Sequence, residues 1–132
     1  MTRASYALAL LALGACDVSP PPRPSVAGIE GRRRVDAATK TWSDCLDMTV
    51  KAAATPLIQA ADAAETAFKT CAPKRDALVA EVGRFRRLGE PKESATNNAA
   101  VAEASVAAIE TDLRSQTEVT AVSWKLDHDK AN

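Results

Sequence analysis

From Val35 onward the apolar side chains recur in alternating steps of three and four, and a chain spaced that way folds into helices. Val35, Ala38, Trp42, Cys45, Thr49 and Ala52 lie on one stripe of a first helix, with Trp42 as its one large core anchor. The opposite face carries Asp36, Lys40, Asp44, Asp47 and Lys51, in which Asp36 to Lys40 and Asp47 to Lys51 are i,i+4 pairs. Hydrophobic residues make up 46% of the 132, but aromatics only 4%, and alanine dominates the rest. That balance suits closely packed helices around a thin core.

Thr55-Pro56 interrupts the first helix, because proline disfavours a helical residue before it and suits a first helical position. A second helix begins between Pro56 and Asp62, the later start being supported by the capping-box spacing of Asp62 and Glu65. Its stripe is Leu57, Ala61, Ala64, Phe68 and Cys71. Pro73 should break the helix, yet the stripe continues in phase through Leu78, Val82 and Phe85, which predicts a kinked or re-capped extension. Gly89 and Pro91 are stop signals, and Arg84, Arg86 and Arg87 suit the negative end of the helix dipole. Residues 90–98 read as a polar loop. From Ala99, the spacing of Ala102, Val106, Ile109 and Leu113 predicts a long final helix. Val122, Trp124 and Leu126 alternate with polar residues as a strand would, but no partner strand exists in the sequence, so helix or frayed tail is expected.

The amino terminus carries a different signal. Arg3 precedes an apolar run from Tyr6 to Leu13, then Gly14, Ala15 and Cys16. The uncharged stretch is shorter than the ~20 residues a helix needs to cross a bilayer. The segment Leu13-Gly14-Ala15-Cys16 resembles the lipobox of bacterial lipoproteins. The resemblance covers only the leader and implies cleavage before Cys16, acylation of that cysteine, and residence in the cell envelope facing the periplasm. Asp17 resembles the residue that retains some lipoproteins in the inner membrane. If Cys16 carries lipid, Cys45 and Cys71 remain as an even pair in an oxidising compartment, and a disulfide between them is expected. Closing that loop would contribute roughly 3–4 kcal/mol on the chain-entropy account. An antiparallel hairpin with both cysteines on inward stripes brings them together, at matching heights when the second helix starts near Asp62.

The expected organisation is therefore a cleaved signal peptide over 1–15, a lipidated Pro/Arg-rich tether over 16–34, a helical domain over 35–127 and a frayed tail over 128–132. Pro20, Pro21, Pro22 and Pro24, with Gly28 and Gly31, argue against a fold in the tether, and Arg32, Arg33 and Arg34 close it. The predicted class is all-α: a disulfide-tied helical hairpin with a kinked extension and a C-terminal helix.

Chemistry is sparse. His128 is the only histidine and sits four residues from the end. No glycine-rich phosphate loop, serine elbow or histidine relay is present, so catalysis, metal and cofactor are not expected. Seventeen basic and seventeen acidic residues cancel, which gives no global field for nucleic acid. The expected role is a membrane-anchored envelope lipoprotein that contacts an unidentified envelope protein. The alternative is a periplasmic binding or inhibitory module for a small ligand, a peptidoglycan fragment or a toxin; conjugation, entry-exclusion and phage-lysis lipoproteins share the general plan. The surface expected to make contact is Val119, Val122, Trp124 and Leu126, more apolar area than one stripe can bury.

Overall fold

The computed structural model describes residues 25–129. Four helices fill this span: α1 Val26–Ala53, α2 Ala60–Thr70, α3 Ala72–Gly89 and α4 Ala95–Asp129. The described residues contain no strand, and the expected all-α class holds. The leader, Cys16 and the proline run lie outside the described residues.

α1 starts at Val26 rather than Val35, so residues 26–34 are helix and not tether. Two local features explain the longer helix. The Ser25 hydroxyl accepts a hydrogen bond from the Gly28 N–H at 3.0 Å, capping the first turn. Gly31 is buried, and its missing Cβ lets α1 lie against Phe85. The two glycines that suggested a linker sit in a helix that tertiary packing supports.

The expected stripe holds through Val35, Ala38 and Trp42, but beyond Trp42 the buried line passes one residue round, to Leu46 and Val50. Cys45 and Thr49 stand on its shoulder, half-buried, and Ala52 is exposed. Larger apolar side chains at i,i+4 spacing have more area to bury than cysteine and threonine, and they set the rotation. Lys40 turns to Asp44, with Nζ 2.6 Å from Oδ2, in place of the expected Asp36. The Asp47–Lys51 pair forms as expected, at 2.7 Å.

α2 begins inside the predicted interval, with Gln59 at the N-cap position. The capping box from Asp62 to Glu65 does not form, because Glu65 turns to Arg114 and Lys69. Leu57 is in the connecting loop, 97% exposed, and Ala61 is exposed too; the buried face is Ala63, Ala64, Ala67 and Phe68. At Pro73 the helix is re-capped rather than bent. Cys71 ends α2 and precedes α3: its N–H donates to the Ala67 carbonyl, and its own carbonyl accepts from Lys74 and Arg75. Pro73 then falls in the first turn of α3, where no donor is needed.

α4 starts at Ala95, four residues before the expected Ala99, because the Ser94 hydroxyl accepts from the Asn97 N–H at 3.1 Å. Asn98, expected in a loop, is buried in the helix. At the other end α4 continues through Val122, Trp124 and Leu126 to Asp129. The alternation there is helical, and His128 lies inside the helix rather than in a tail.

The helices form three rods. α1 is one, α2 continued by α3 is the second, and α4 is the third, about 52 Å long at ~1.5 Å for each of its 35 residues. α1 and α4 run parallel to each other and antiparallel to the middle rod, and each packs on both α2 and α3. Trp42, Leu46, Val50, Phe68, Leu78, Val106 and Leu113 supply the large core side chains, and Ala63, Ala67, Ala102 and Ala121 let the rods approach. The Trp42 and Phe68 rings meet edge to face at 6.0 Å.

Candidate functional site

The expected disulfide is present. Cys45 and Cys71 are bonded, with Cα atoms 6.0 Å apart, and the bond ties α1 to the joint between α2 and α3. The Thr49 hydroxyl lies 3.5 Å from Cys71 Sγ; a bonded sulfur has no hydrogen, so the hydroxyl donates. This is a structural staple, with Cys71 buried and Cys45 half-buried.

The expected contact residues divide into two groups. Val119, Val122 and Leu126 are 62%, 47% and 54% exposed and, at steps of three and four, share one face of α4. Leu113, Thr117 and Ala121 face the core from the other side. Trp124 does not belong with the exposed set: it is half-buried and packed against the core cluster. Its ring stacks at 4.0 Å on His128, whose Nδ1 lies 2.9 Å from the Trp124 carbonyl, and Lys51 approaches it at 6.0 Å. Sequence reasoning missed two neighbours of this surface. Leu57 and Ile58, in the α1–α2 loop, are exposed beside the end of α4, and the Ile58 carbonyl accepts a 2.6 Å bond from Lys125 Nζ. A loop leucine and isoleucine flanked by proline carry no periodic signal that would have placed them here.

A chain of charges crosses the bundle. Arg75 on α3 binds Glu103 and Glu110 on α4, the latter at 2.7 Å from Nε. Arg114 binds Glu110 at 2.9 Å and Glu65 on α2 at 3.1 Å, and its guanidinium lies 4.3 Å from the Phe68 ring. The hydrogen bond from Arg114 lowers the Glu65 pKa below the usual carboxylate value. Burial works to raise Glu110, but hydrogen bonds from Arg75 and Arg114 outweigh it and leave that carboxyl lowered as well. Bonds to Glu103 and Glu110 raise Arg75, and bonds to Glu110 and Glu65 raise Arg114. Every member is matched by an opposite charge, so the network fixes helix register and supplies no poised acid or base.

The hollows agree with that picture. A groove of about 260 Å³ between α1 and α4 is lined by Asp44, Asp47, Gln116 and Thr120, and its two carboxylates are held by Lys40 and Lys51. A larger one, about 490 Å³, opens at the start of α1 between Ile29, Arg32, Arg33 and Phe85. Among the described residues no three His, Cys, Asp or Glu side chains converge as metal ligands, and no helix is long and apolar enough to cross a membrane. In comparisons with known proteins, no protein family matches the chain, and no curated protein or solved structure matches it.

Proposed function

We propose that the chain is a lipid-anchored protein of the bacterial cell envelope, held at Cys16, whose helical bundle works by contact with another envelope protein rather than by chemistry. The observation that carries this reading is the exposed apolar line Val119, Val122 and Leu126 on the face of α4 turned away from the core. Such a line on a helix whose register a paired charge network fixes suits a rigid contact surface; a small-ligand site would instead combine an enclosed apolar pocket with a few converging polar groups. An anchor strengthens the case, because confinement within tether reach raises the effective concentration of a weak helix-face contact. Inhibition of a toxic protein would use the same surface.

A photocrosslinking residue at Val122, expressed in intact cells, tests the reading. The expected result is a discrete protein adduct that weakens when Val119 and Leu126 are changed to serine. No adduct, or one indifferent to those changes, would remove this face from the interface. Incorporation of labelled fatty acid into the wild type but not into Cys16→Ser tests the anchor separately.

A further inference from the structure

We infer that the end of the bundle nearest the tether is a second docking surface, and that its occupant is the anionic face of the membrane in which the anchor sits. This rests on the lipid-anchored reading for its setting but stands on separate observations. The first turns of α1, the last turns of α3 and the α3–α4 loop come together at one pole, where Gly31 meets Phe85 and Leu88. Segments 26–36 and 81–93 carry seven basic and five acidic side chains there, Glu30 pairing with Arg33 and Arg34 and Glu81 with Arg34 and Arg84. At the opposite pole, segments 51–62 and 118–129 carry two basic and four acidic side chains, His128 aside. A chain with no net charge has thus sorted its charge along the bundle axis.

The basic pole also projects apolar side chains. Val26, Ile29 and Leu88 are 85%, 43% and 50% exposed, beside the groove lined by Arg32, Arg33, Asp36 and Phe85, in which two cations outweigh one carboxylate. Apolar tips ringed by arginines match a headgroup boundary, where the tips enter the acyl edge and the cations meet phosphate. A protein partner would need matching acidic and apolar groups, for which nothing argues, whereas the length of the connecting chain argues for the bilayer. Nine residue steps separate Cys16 from Ser25, and at ~3.3–3.6 Å each they span at most about 32 Å. That is less than the length of α4, so this pole is confined close to the lipid.

The test uses a chain lacking residues 1–15, to remove the leader's own affinity, and carrying Cys16→Ser, so that no acyl group contributes. Co-sedimentation is measured with vesicles of phosphatidylcholine alone and of phosphatidylcholine with phosphatidylglycerol in equal parts. Binding is expected only to the anionic vesicles and should fade as salt is raised. Each basic residue near an anionic surface strengthens binding about fivefold, so reversing two, Arg32→Glu with Arg33→Glu, should weaken it at least tenfold. Val26→Asp with Leu88→Asp should weaken it too, whereas Val122→Asp at the far pole should not. These positions are exposed, and circular dichroism should show helix content unchanged in every variant. Absence of binding to anionic vesicles, equal binding to neutral ones, or an undiminished arginine-reversal variant would overturn the proposal. So would a photocrosslinker at Val26 that captures protein rather than lipid in cells. Because the chain tested carries no lipid, failure here leaves the fatty-acid labelling result at Cys16 untouched, and the reverse holds.

Discussion

A Cβ placed on Gly31 would stand 2.7 Å from Cδ2 of Phe85 and 3.2 Å from Cδ1 of Leu88, so α1 and α3 meet there at a distance that only glycine permits. Gly31→Ala gains about 1 kcal/mol of helix propensity but forces the ring aside, at about 1–3 kcal/mol for overpacking. The expected result is a net loss of about 1 kcal/mol in denaturant unfolding. Phe85→Leu should be less harmful in the Gly31→Ala background than in the wild type, a coupling that a double-mutant cycle reads directly.

Removing the staple should weaken the fold without changing it. Cys45→Ala with Cys71→Ala is expected to cost roughly 3 kcal/mol, with helix content retained at low temperature. Peptide mapping without reductant should find the two cysteines linked within one chain; free thiols or links between chains would contradict the structure.

The arginine network predicts acid sensitivity. Glu110 and Glu65 have lowered pKa values in the fold, so their stabilisation is present above the unfolded carboxylate value near 4.5 and is lost as pH falls through their lower folded values. Stability should therefore decline below about pH 4.5, and Glu110→Gln should flatten that slope. Arg75→Met, which removes a half-buried cation from two carboxylates, should cost about 2 kcal/mol at neutral pH and less in high salt. An unchanged acid slope in Glu110→Gln would show that the carboxylate is not lowered.

Asn98 is 1% exposed, its Oδ1 has no hydrogen-bond partner among the described residues, and its Nδ2 reaches only the Glu93 carbonyl at 3.5 Å. A buried polar group so weakly satisfied opposes folding. Asn98→Leu, of the same branched shape though bulkier, is expected to raise stability by about 1 kcal/mol, checked by thermal unfolding. A lower midpoint would mean that the amide fixes the start of α4.

Trp124 and Val122 should separate core from surface. Trp124→Ala removes a ring packed on the core and is expected to cost about 2 kcal/mol or more. Val122→Ser should leave the unfolding midpoint within experimental error, since its side chain already stands in solvent.

The helical period made most of this fold legible. Trp42, Phe68, Leu78, Val106 and Leu113 are all core residues that spacing alone identified, and the inward phase of Cys71 anticipated the disulfide. The misreadings occur where tertiary packing overrides local signals. Gly28 and Gly31 look like linker residues until Ser25 is seen to cap the turn that holds Gly28 and Phe85, more than fifty positions away in sequence, is known to lie over Gly31. Leu57 looks like a stripe residue because nothing local shows that the chain between Thr55 and Gln59 stays unwound. Trp124 reads as surplus apolar area if α4 has one stripe; the core cluster and Lys51 at the end of α1 give it cover that sequence spacing does not reveal. The basic pole was invisible for the same reason: its arginines come from two segments that only folding brings side by side.

The joint at Cys71 also has a mechanical meaning. A partner gripping the far end of α4 and a lipid holding Cys16 would load the bundle through the start of α1, peeling it from Val26 inward. Unwinding can proceed to Ser43 and Asp44 and then meets a covalent stop, because Cys45 is bonded to the middle rod. Each residue drawn from helix to extended chain adds about 2 Å, so residues 26–44 could lengthen the connection by roughly 40 Å before the stop engages. Trp42 leaves the core over that stretch, and from Cys45 onward the load passes through the disulfide into the joint between α2 and α3 instead of further along α1.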